Sequence, residues 1–393
     1  MKPGRPISDA TRAIHAGQAP ATLTARTVGP PIQRGSTILM PNAASLYDDD
    51  LTTYGLGGLA AHEALIQALA ELEGAAGGQL YPSGLAAVTG AMLALLKAGD
   101  EVLVVDTIYG PTRRFCDQLL TRFGVAVRYY SPRPEPAEVF AQAGPATRLI
   151  LLESPGSLTF EFQDVAALSA LARERGVLSL IDNTWGAGLL FKPLAHGVDV
   201  SLQALTKYVC GHSDVFMGSA CANDPKVLKL LDDALWNLGW SVSSDDAYQA
   251  LRGLRTLPTR MARHDASGRK VAGWLRRQPE VLQVLHPALE DSPDHRLWLR
   301  DYSGACGLFG VVLRPAPGAA VNALLDALSL FRLGFSWGGF ESLAISGDPQ
   351  MHRRRYPPKL GGPLIRLHVG LEDPDDLIAD LRTALDAFTR SVS

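Results

Sequence analysis

Residues 178–207 read LSLIDNTWGAGLLFKPLAHGVDVSLQALTK. Two short runs within this stretch, 178–182 (LSLID) and 200–205 (VSLQAL), are almost continuously apolar, as strands covered on both faces of a parallel sheet are. The first ends on an aspartate, Asp182, and the second is followed at once by a lysine, Lys207. Working outward, 101–106 (EVLVVD) and 148–154 (RLILLES) repeat the pattern. Helix-period segments separate these runs. Over 59–73, Ala61, Leu65, Ala68, Leu69 and Leu72 fall on one side and Gly74 is a stop. Over 85–97 the stripe is Leu85, Val88, Met92 and Leu95 or Leu96, and 164–175 is a third helix. Repeated strand–helix alternation gives an α/β sheet with helices on both faces.

Beyond about residue 254 the pattern changes. Alternating runs at 307–313 and 364–369, between helices near 319–330 and 373–390, indicate a smaller α+β carboxy-terminal domain. Residues 1–58 are rich in Pro, Gly and Thr and read as an arm. The expected division is therefore an arm over 1–58, a large domain over 59–254 and a second domain over 255–393.

A chain of 393 residues has ample interior for such a core. Its 47% apolar and 20% charged residues exclude disorder and coiled coil as global descriptions. The net charge of −3 gives no field to hold a nucleic acid or an anionic membrane, so neither partner is expected. The start, MKPGRPISDATR, lacks the apolar stretch of a signal peptide, and a cytoplasmic protein is expected. Residues 74–96 carry no charge, yet glycines, Pro82, Gln79, Ser83 and Thr89 interrupt them; a loop and then a buried helix is the reading. The scattered Cys116, Cys210, Cys221 and Cys306 suggest buried free thiols rather than a disulfide framework or a zinc site. His212 and His368 lack a spaced partner, so no metal site is expected and both are read as hydrogen-bonded structural residues.

Gly55-Leu56-Gly57-Gly58-Leu59-Ala60 matches a dinucleotide-binding GxGxxA, but the acidic DDDLTTY before it is no core strand, so that function is set aside. A stronger group of residues lies at the strand ends. Tyr81-Pro82-Ser83-Gly84-Leu85 opens a helix, whose free N–H groups make an anion site that Gly84 would let a phosphate approach; a plain Ser-capped helix start accounts for it equally. Asp182 at the carboxyl end of its strand needs a cation or donor, which a pyridinium nitrogen or a neighbouring N-cap or arginine would supply. Lys207 at the sheet rim has a desolvated stem, as a Schiff-base lysine requires, or is a snorkelling surface residue. Tyr109, three residues beyond the 101–106 strand, could stack on a flat ring. Together these are the parts a pyridoxal phosphate site uses: anion cradle, ring stacker, acidic partner and lysine. In 364–369, Arg366 shares one strand face with Leu364 and His368, placed for a bidentate carboxylate contact or a structural ion pair.

Six segments carry a resemblance: ESPGSLTFE (153–161), LIDNTWGAGLLFKPL (180–194), TKYVCGHSDVFMGSA (206–220), RGLRTL (252–257), FSWGGFESL (335–343) and IRLHVGLEDPDDLIADL (365–381). They resemble the cystathionine β-lyases of the pyridoxal-phosphate family of cysteine and methionine metabolism, from about Thr53 to the carboxy terminus. The resemblance implies the aspartate-aminotransferase-like, type I fold: a three-layer α/β sandwich around a mostly parallel seven-stranded sheet, with the α+β domain behind it. It implies pyridoxal 5′-phosphate as cofactor and an amino-acid thioether as substrate. It implies a homotetramer, a dimer of dimers with active sites at the dimer interface.

Residue by residue, it makes Lys207 the cofactor-binding lysine and proton shuttle, Asp182 the partner of the ring nitrogen and Tyr109 the ring stacker. Gly84, Leu85 and Thr206 would hold the phosphate. Tyr54 would reach a neighbouring subunit's phosphate, and with Lys207 and Tyr109 counts among the catalytic residues. Arg366 would clamp the substrate α-carboxylate, supported by Ser336 and Trp337, with Trp236 toward the far end of the substrate. The chain departs from the family pattern in three places. Leu56 stands where the arm commonly carries a phosphate-pairing arginine, Trp236 where the lyases carry a tyrosine, and Ser45 and Leu46 where basic residues are common. The implied reaction is β-elimination at a carbon–sulfur bond, cystathionine giving homocysteine, pyruvate and ammonia. The alternatives are a γ-lyase, γ-synthase or methionine lyase of the same family, a lyase for another cysteine conjugate, and a non-catalytic binding protein on the same fold. ESPGS and SWGG favour the β-lyase over the first group.

Overall fold

A computed structural model describes residues 7–18, 27–48, 51–352 and 354–392. The first six residues of the amino-terminal stretch discussed above lie outside the described residues, as do Asp49 and Asp50.

The large sheet has seven strands: β1 (Gly77–Tyr81), β2 (Glu101–Val105), β3 (Ala126–Tyr130), β4 (Thr147–Glu153), β5 (Leu178–Asp182), β6 (Val200–Gln203) and β7 (Gly218–Ala222). Their order is β1-β7-β6-β5-β4-β2-β3, and only β7 runs against the others. The continuous apolar runs are buried as expected, Val102–Val105 and Leu149–Leu152 without accessible surface. Helices Ala60–Glu73, Gly84–Leu95 and Val165–Glu174 form where the 3.6-residue stripes place them. Gly74 takes the left-handed conformation at the end of the first, and the side chains of Ser83 and Asp164 cap the other two.

The segment read as a loop before the second of these helices is β1 instead. Its GGQLY composition carries no strand signal; pairing with β7 makes it a strand, from Gly77 opposite Ala222 to Tyr81 opposite Gly218. The helix Gly84–Leu95 starts against β7 so closely that a Cβ on Gly218 would lie 2.4 Å from the Ser83 carbonyl oxygen.

The second sheet contains β8 (Val281–Leu285), β9 (Leu308–Leu313), β10 (Arg332–Leu333), β11 (Leu343–Ser346) and β12 (Leu364–His368), in the order β10-β11-β12-β9-β8. Helices Gly318–Ala327 and Pro374–Val392 cover one face, with Leu324, Leu377, Leu381 and Phe388 packed onto Phe309, Val311 and Leu367. The 32-residue helix Ser244–Leu275 joins the two halves. Its Leu251, Leu254, Leu257 and Met261 belong to the core of the large sheet, and its Val271, Ala272 and Leu275 to that of the small one. The division expected at 254/255 therefore falls inside a single rigid element.

The arm is not structureless: Asp9–His15 is a short helix capped by Ser8, and Arg34 forks onto Asp245 at 2.8 and 2.6 Å. The four cysteines are buried free thiols. Among the described residues no helix is long and apolar enough to cross a membrane.

The basic stretch HRRRY (352–356) reads as a solvated loop, and there the structure differs; Arg353 lies outside the described residues. The Arg354 side chain is buried and donates to the Thr159 hydroxyl and the Ser157 carbonyl. The N–H groups of Arg355 and Tyr356 donate to Asp106 at 3.0 and 2.8 Å. Asp106 ends a fully buried run and already pairs with Arg113 at 2.5 Å. A buried carboxylate needs its remaining lone pairs filled, and the passing loop fills them.

Candidate active site

Five strand ends of the large sheet and the loop before β11 converge on one cavity of about 210 Å³. Among its lining residues are Gly84, Leu85, Tyr109, Asp182, Thr206, Lys207, Trp337 and Arg366, which the sequence placed together.

Lys207 sits on a turn held by its own backbone, with Gly211 N–H donating to the Lys207 carbonyl at 2.8 Å. Arg260, reaching in from the long helix, pins the next two carbonyls, Tyr208 at 2.6 Å and Val209 at 3.1 Å. Lys207 Nζ donates to Ser336 Oγ at 2.6 Å and lies 5.6 Å from the centre of the Trp337 ring. Burial, and then the Arg366 charge, pull the lysine down to about 8, against the opposing pull of Asp182. A neutral amine is thus accessible near neutral pH. The snorkelling alternative fails, because this amine points inward.

Ser336 holds a left-handed backbone, φ 82°, which costs an L residue ~1–3 kcal/mol. The fold sustains it through two bonds: Arg366 Nη2 donates to the Ser336 carbonyl at 2.9 Å, and Gly338 N–H donates to His368 Nε2 at 3.1 Å. His368 is pushed down to about 3 by burial and is a neutral structural imidazole, as is expected of it; His212 bonds the Cys210 carbonyl at 2.6 Å. Burial lowers Arg366 to about 10, with Tyr109 opposing.

Asp182 is pushed up from the usual carboxylate range by burial, offset by Thr184, whose N–H and hydroxyl donate to Oδ1 at 3.0 and 2.5 Å. Its other oxygen makes no hydrogen bond among the described residues. One strand over, in register, stands Glu153, which accepts the Tyr109 N–H at 2.7 Å; burial, with Asp182 beside it, raises Glu153 well above its ordinary value. Glu153, Thr184 and Arg260 were not singled out from the sequence. Glu153 had a signal there: it is the first acidic residue after the apolar run of 148–154, as Asp182 is after that of 178–182.

A Cβ on Gly84 would lie 2.3 Å from Ala204 Cβ, so glycine at this position lets the helix start close on the turn after β6. The Gly84 and Leu85 N–H groups at that helix start have no partner among the described residues, which leaves the anion site itself in place. The Thr206 hydroxyl is occupied at both ends by Met217, accepting its N–H at 2.9 Å and donating to its carbonyl at 3.1 Å. Gly84→Ala is expected to lower stability by about 1–3 kcal/mol through overpacking and to weaken cofactor retention. Thermal denaturation together with equilibrium dialysis measures both.

Tyr54 and Trp236 are not brought to this cavity. Tyr54 is half-exposed in the arm, where Thr37 forms a bridge with it, and Trp236 lies against Gly57, where a Cβ would come within 2.9 Å of its ring. The arm at 54–58 and Trp236 form one patch of the surface.

The residues present fit pyridoxal phosphate. They offer two free N–H groups at a helix start, a buried carboxylate with one unmatched oxygen, a tyrosine ring at the rim and a desolvated amine. A cation set against the free Asp182 oxygen would offset the burial that raises that carboxyl.

The comparisons with known proteins agree. The chain is 43% identical over 383 residues to the cystathionine beta-lyase of Bordetella avium, covering 95% of this chain and 96% of that protein. It is 40% identical over 377 residues to the L-alanine/L-glutamate racemase of Wolbachia pipientis wMel, covering 91% and 92%. The crystal structure of metB from Corynebacterium glutamicum superposes with a TM-score of 0.89 at 31% identity, over 97% of this chain and 98% of that one. Residues 10–386 match the family described as Cys/Met metabolism PLP-dependent enzyme. This chain belongs to that family, and its cofactor is pyridoxal 5′-phosphate.

Proposed function

We propose that the cavity carries out β-elimination at the carbon–sulfur bond of a cysteine thioether, with cystathionine giving homocysteine, pyruvate and ammonia. The observation that carries this reading is the inward-facing Lys207 amine, lowered to about 8 and hydrogen-bonded to the hydroxyl of Ser336, whose carbonyl Arg366 holds. Likeness to the Bordetella avium lyase supports the choice of bond.

When bound, pyridoxal phosphate supplies an electron sink for charge developing at the substrate Cα. The protein does the rest. Asp182 would offer its free oxygen to the ring nitrogen, Tyr109 would stack on the ring, and the Gly84 and Leu85 N–H groups would meet the phosphate, joined by the Thr206 hydroxyl if it turned from the Met217 carbonyl. Arg366 grips the substrate α-carboxylate through its planar fork, and Ser336 and Trp337 fix that grip. Lys207 Nζ takes the proton from Cα. As the Cβ–S bond breaks, its electron pair goes to sulfur and Nζ returns the proton there. The 2-aminoacrylate set free takes up water and yields pyruvate and ammonia. A base with a pKa near the working pH suits both transfers.

The sign of the pH dependence follows. Only the neutral amine can capture the cofactor aldehyde, so the rate at which apoenzyme recombines with pyridoxal phosphate should rise with pH and level off above about 8. A rate flat from pH 6 to 10 would mean that Lys207 does not control capture.

Dimerisation through the arm, with Tyr54 reaching the partner's phosphate, accounts for the exposed apolar side chains of Leu39, Tyr47 and Tyr54. A tetramer of two such dimers, in the cytoplasm, completes the reading. Product analysis tests the reaction. With cystathionine, pyruvate and homocysteine are expected. Formation of 2-oxobutanoate and cysteine would make the enzyme a γ-lyase, and D-alanine from L-alanine without pyruvate would make it a racemase.

A further inference from the structure

Tyr109 is half-exposed, and its side chain makes no hydrogen bond or ring contact among the described residues. A side chain so placed takes its direction from its main chain. Two hydrogen bonds hold that main chain. The Tyr109 carbonyl accepts from Arg113 N–H at 3.0 Å, within the same helical turn. The Tyr109 N–H donates to Glu153 at 2.7 Å and so ties the turn to the end of β4.

The end of β4 is itself held from several sides. Glu153 N–H donates to Gln163 Oε1 at 3.3 Å, Gln163 Nε2 donates to the buried Tyr130 hydroxyl at 3.1 Å, and the Tyr302 hydroxyl donates to the Ser154 carbonyl at 2.5 Å. Beyond it the chain packs against the residues that lead into Tyr109. Ser157 N–H donates to the Thr107 carbonyl at 2.9 Å, and a Cβ on Gly156 would lie 2.2 Å from Thr107 Oγ1.

Glu153 also stands in register with Asp182, and both line the active-site cavity. Two neighbouring carboxyls in a desolvated place do not both hold a charge against one cation. Two donors from Thr184 favour the charge on Asp182, so the proton of the pair belongs on Glu153. Burial, and then the Asp182 charge, act on Glu153 in the same sense, against Arg354, which is committed to Thr159 and the Ser157 carbonyl.

We infer that Glu153 is a positioning residue: as the uncharged member of its pair with Asp182, it holds the Tyr109 main chain and so sets the plane of the ring that stacks on the cofactor. The inference rests on Tyr109 being the stacking residue and adds the group that aims it.

The test compares the full chain with four variants. Glu153→Gln keeps a neutral acceptor of the same reach, Glu153→Leu removes the acceptor but keeps the bulk, Glu153→Asp withdraws the acceptor by one methylene, and Tyr109→Leu removes the ring. In Glu153→Leu, equilibrium dialysis should show about tenfold weaker retention of pyridoxal phosphate. The circular dichroism of the bound cofactor band, which reports ring orientation, should shrink. Without cofactor, amide exchange across residues 107–110 should quicken by about tenfold as the Tyr109 N–H loses its partner. Glu153→Asp should behave alike, and decides the matter if the leucine variant does not fold. Glu153→Gln should restore all three readings. A merely structural glutamate would lower the melting temperature and leave the dichroism and the local exchange unmoved.

If Tyr109→Leu changes retention and dichroism while Glu153→Leu and Glu153→Asp do not, the inference is overturned and the stacking reading stands. Loss of retention in Glu153→Gln would also overturn it, since a charge rather than an acceptor would be at work. If Tyr109→Leu itself changes nothing, the stacking reading falls first.

Discussion

Lys207→Ala should reduce pyruvate release by about 10⁴-fold or more, because one substitution removes both the nucleophile that captures the cofactor and the base that moves the Cα proton. Borohydride should fix cofactor covalently in the wild type and not in the variant. The fold should survive. Lys207 lies on a turn whose geometry is set by backbone bonds and by Arg260, and its side chain makes one hydrogen bond, to Ser336 Oγ. Leaving that hydroxyl without its donor costs about 1 kcal/mol, so melting should shift by only a few degrees. Pyruvate release within tenfold of wild type would remove Lys207 from the mechanism.

Arg366→Leu should lower kcat/KM by about 10³-fold, the worth of two charge-assisted hydrogen bonds to a desolvated carboxylate. Arg366→Lys should recover little, because a point charge cannot reproduce the fork. The substitution has a second signature. The Arg366 charge helps to depress Lys207, so its removal should move the reconstitution limb above the wild-type value of about 8. A merely structural arginine would alter stability without moving that limb. Stopped-flow recombination across pH, set beside steady-state kinetics, separates the two.

Much of the site was legible because its residues lie at the ends of short, strongly apolar strands. A parallel sheet gathers all such ends at one edge, so Asp182, Tyr109 and Lys207 could be grouped without knowing the strand order. The second domain was harder. Arg366 could be placed on a strand face, yet only folding, with β12 held between β11 and β9, brings it into the cavity with Asp182 and Lys207. Glu153 was visible as a residue but silent as a partner until register set it beside Asp182. The HRRRY stretch misled for a related reason: charge density reads as solvent exposure, and a buried acceptor such as Asp106, more than 240 positions earlier, leaves no local trace.

The sequence by itself determined the layered α/β core, the helices that cover it, the α+β second domain and the place of Lys207 at the rim of the large sheet. All of these follow from local periodicity and from motifs carried on contiguous residues. Tertiary structure alone decided that GGQLY is a strand, that one helix serves both cores, and that Gly84 answers to Ala204. Each of these depends on which distant segments meet. Pairing, close packing and charge neutralisation are properties of contacts rather than of residues, and contacts exist only once the chain has folded.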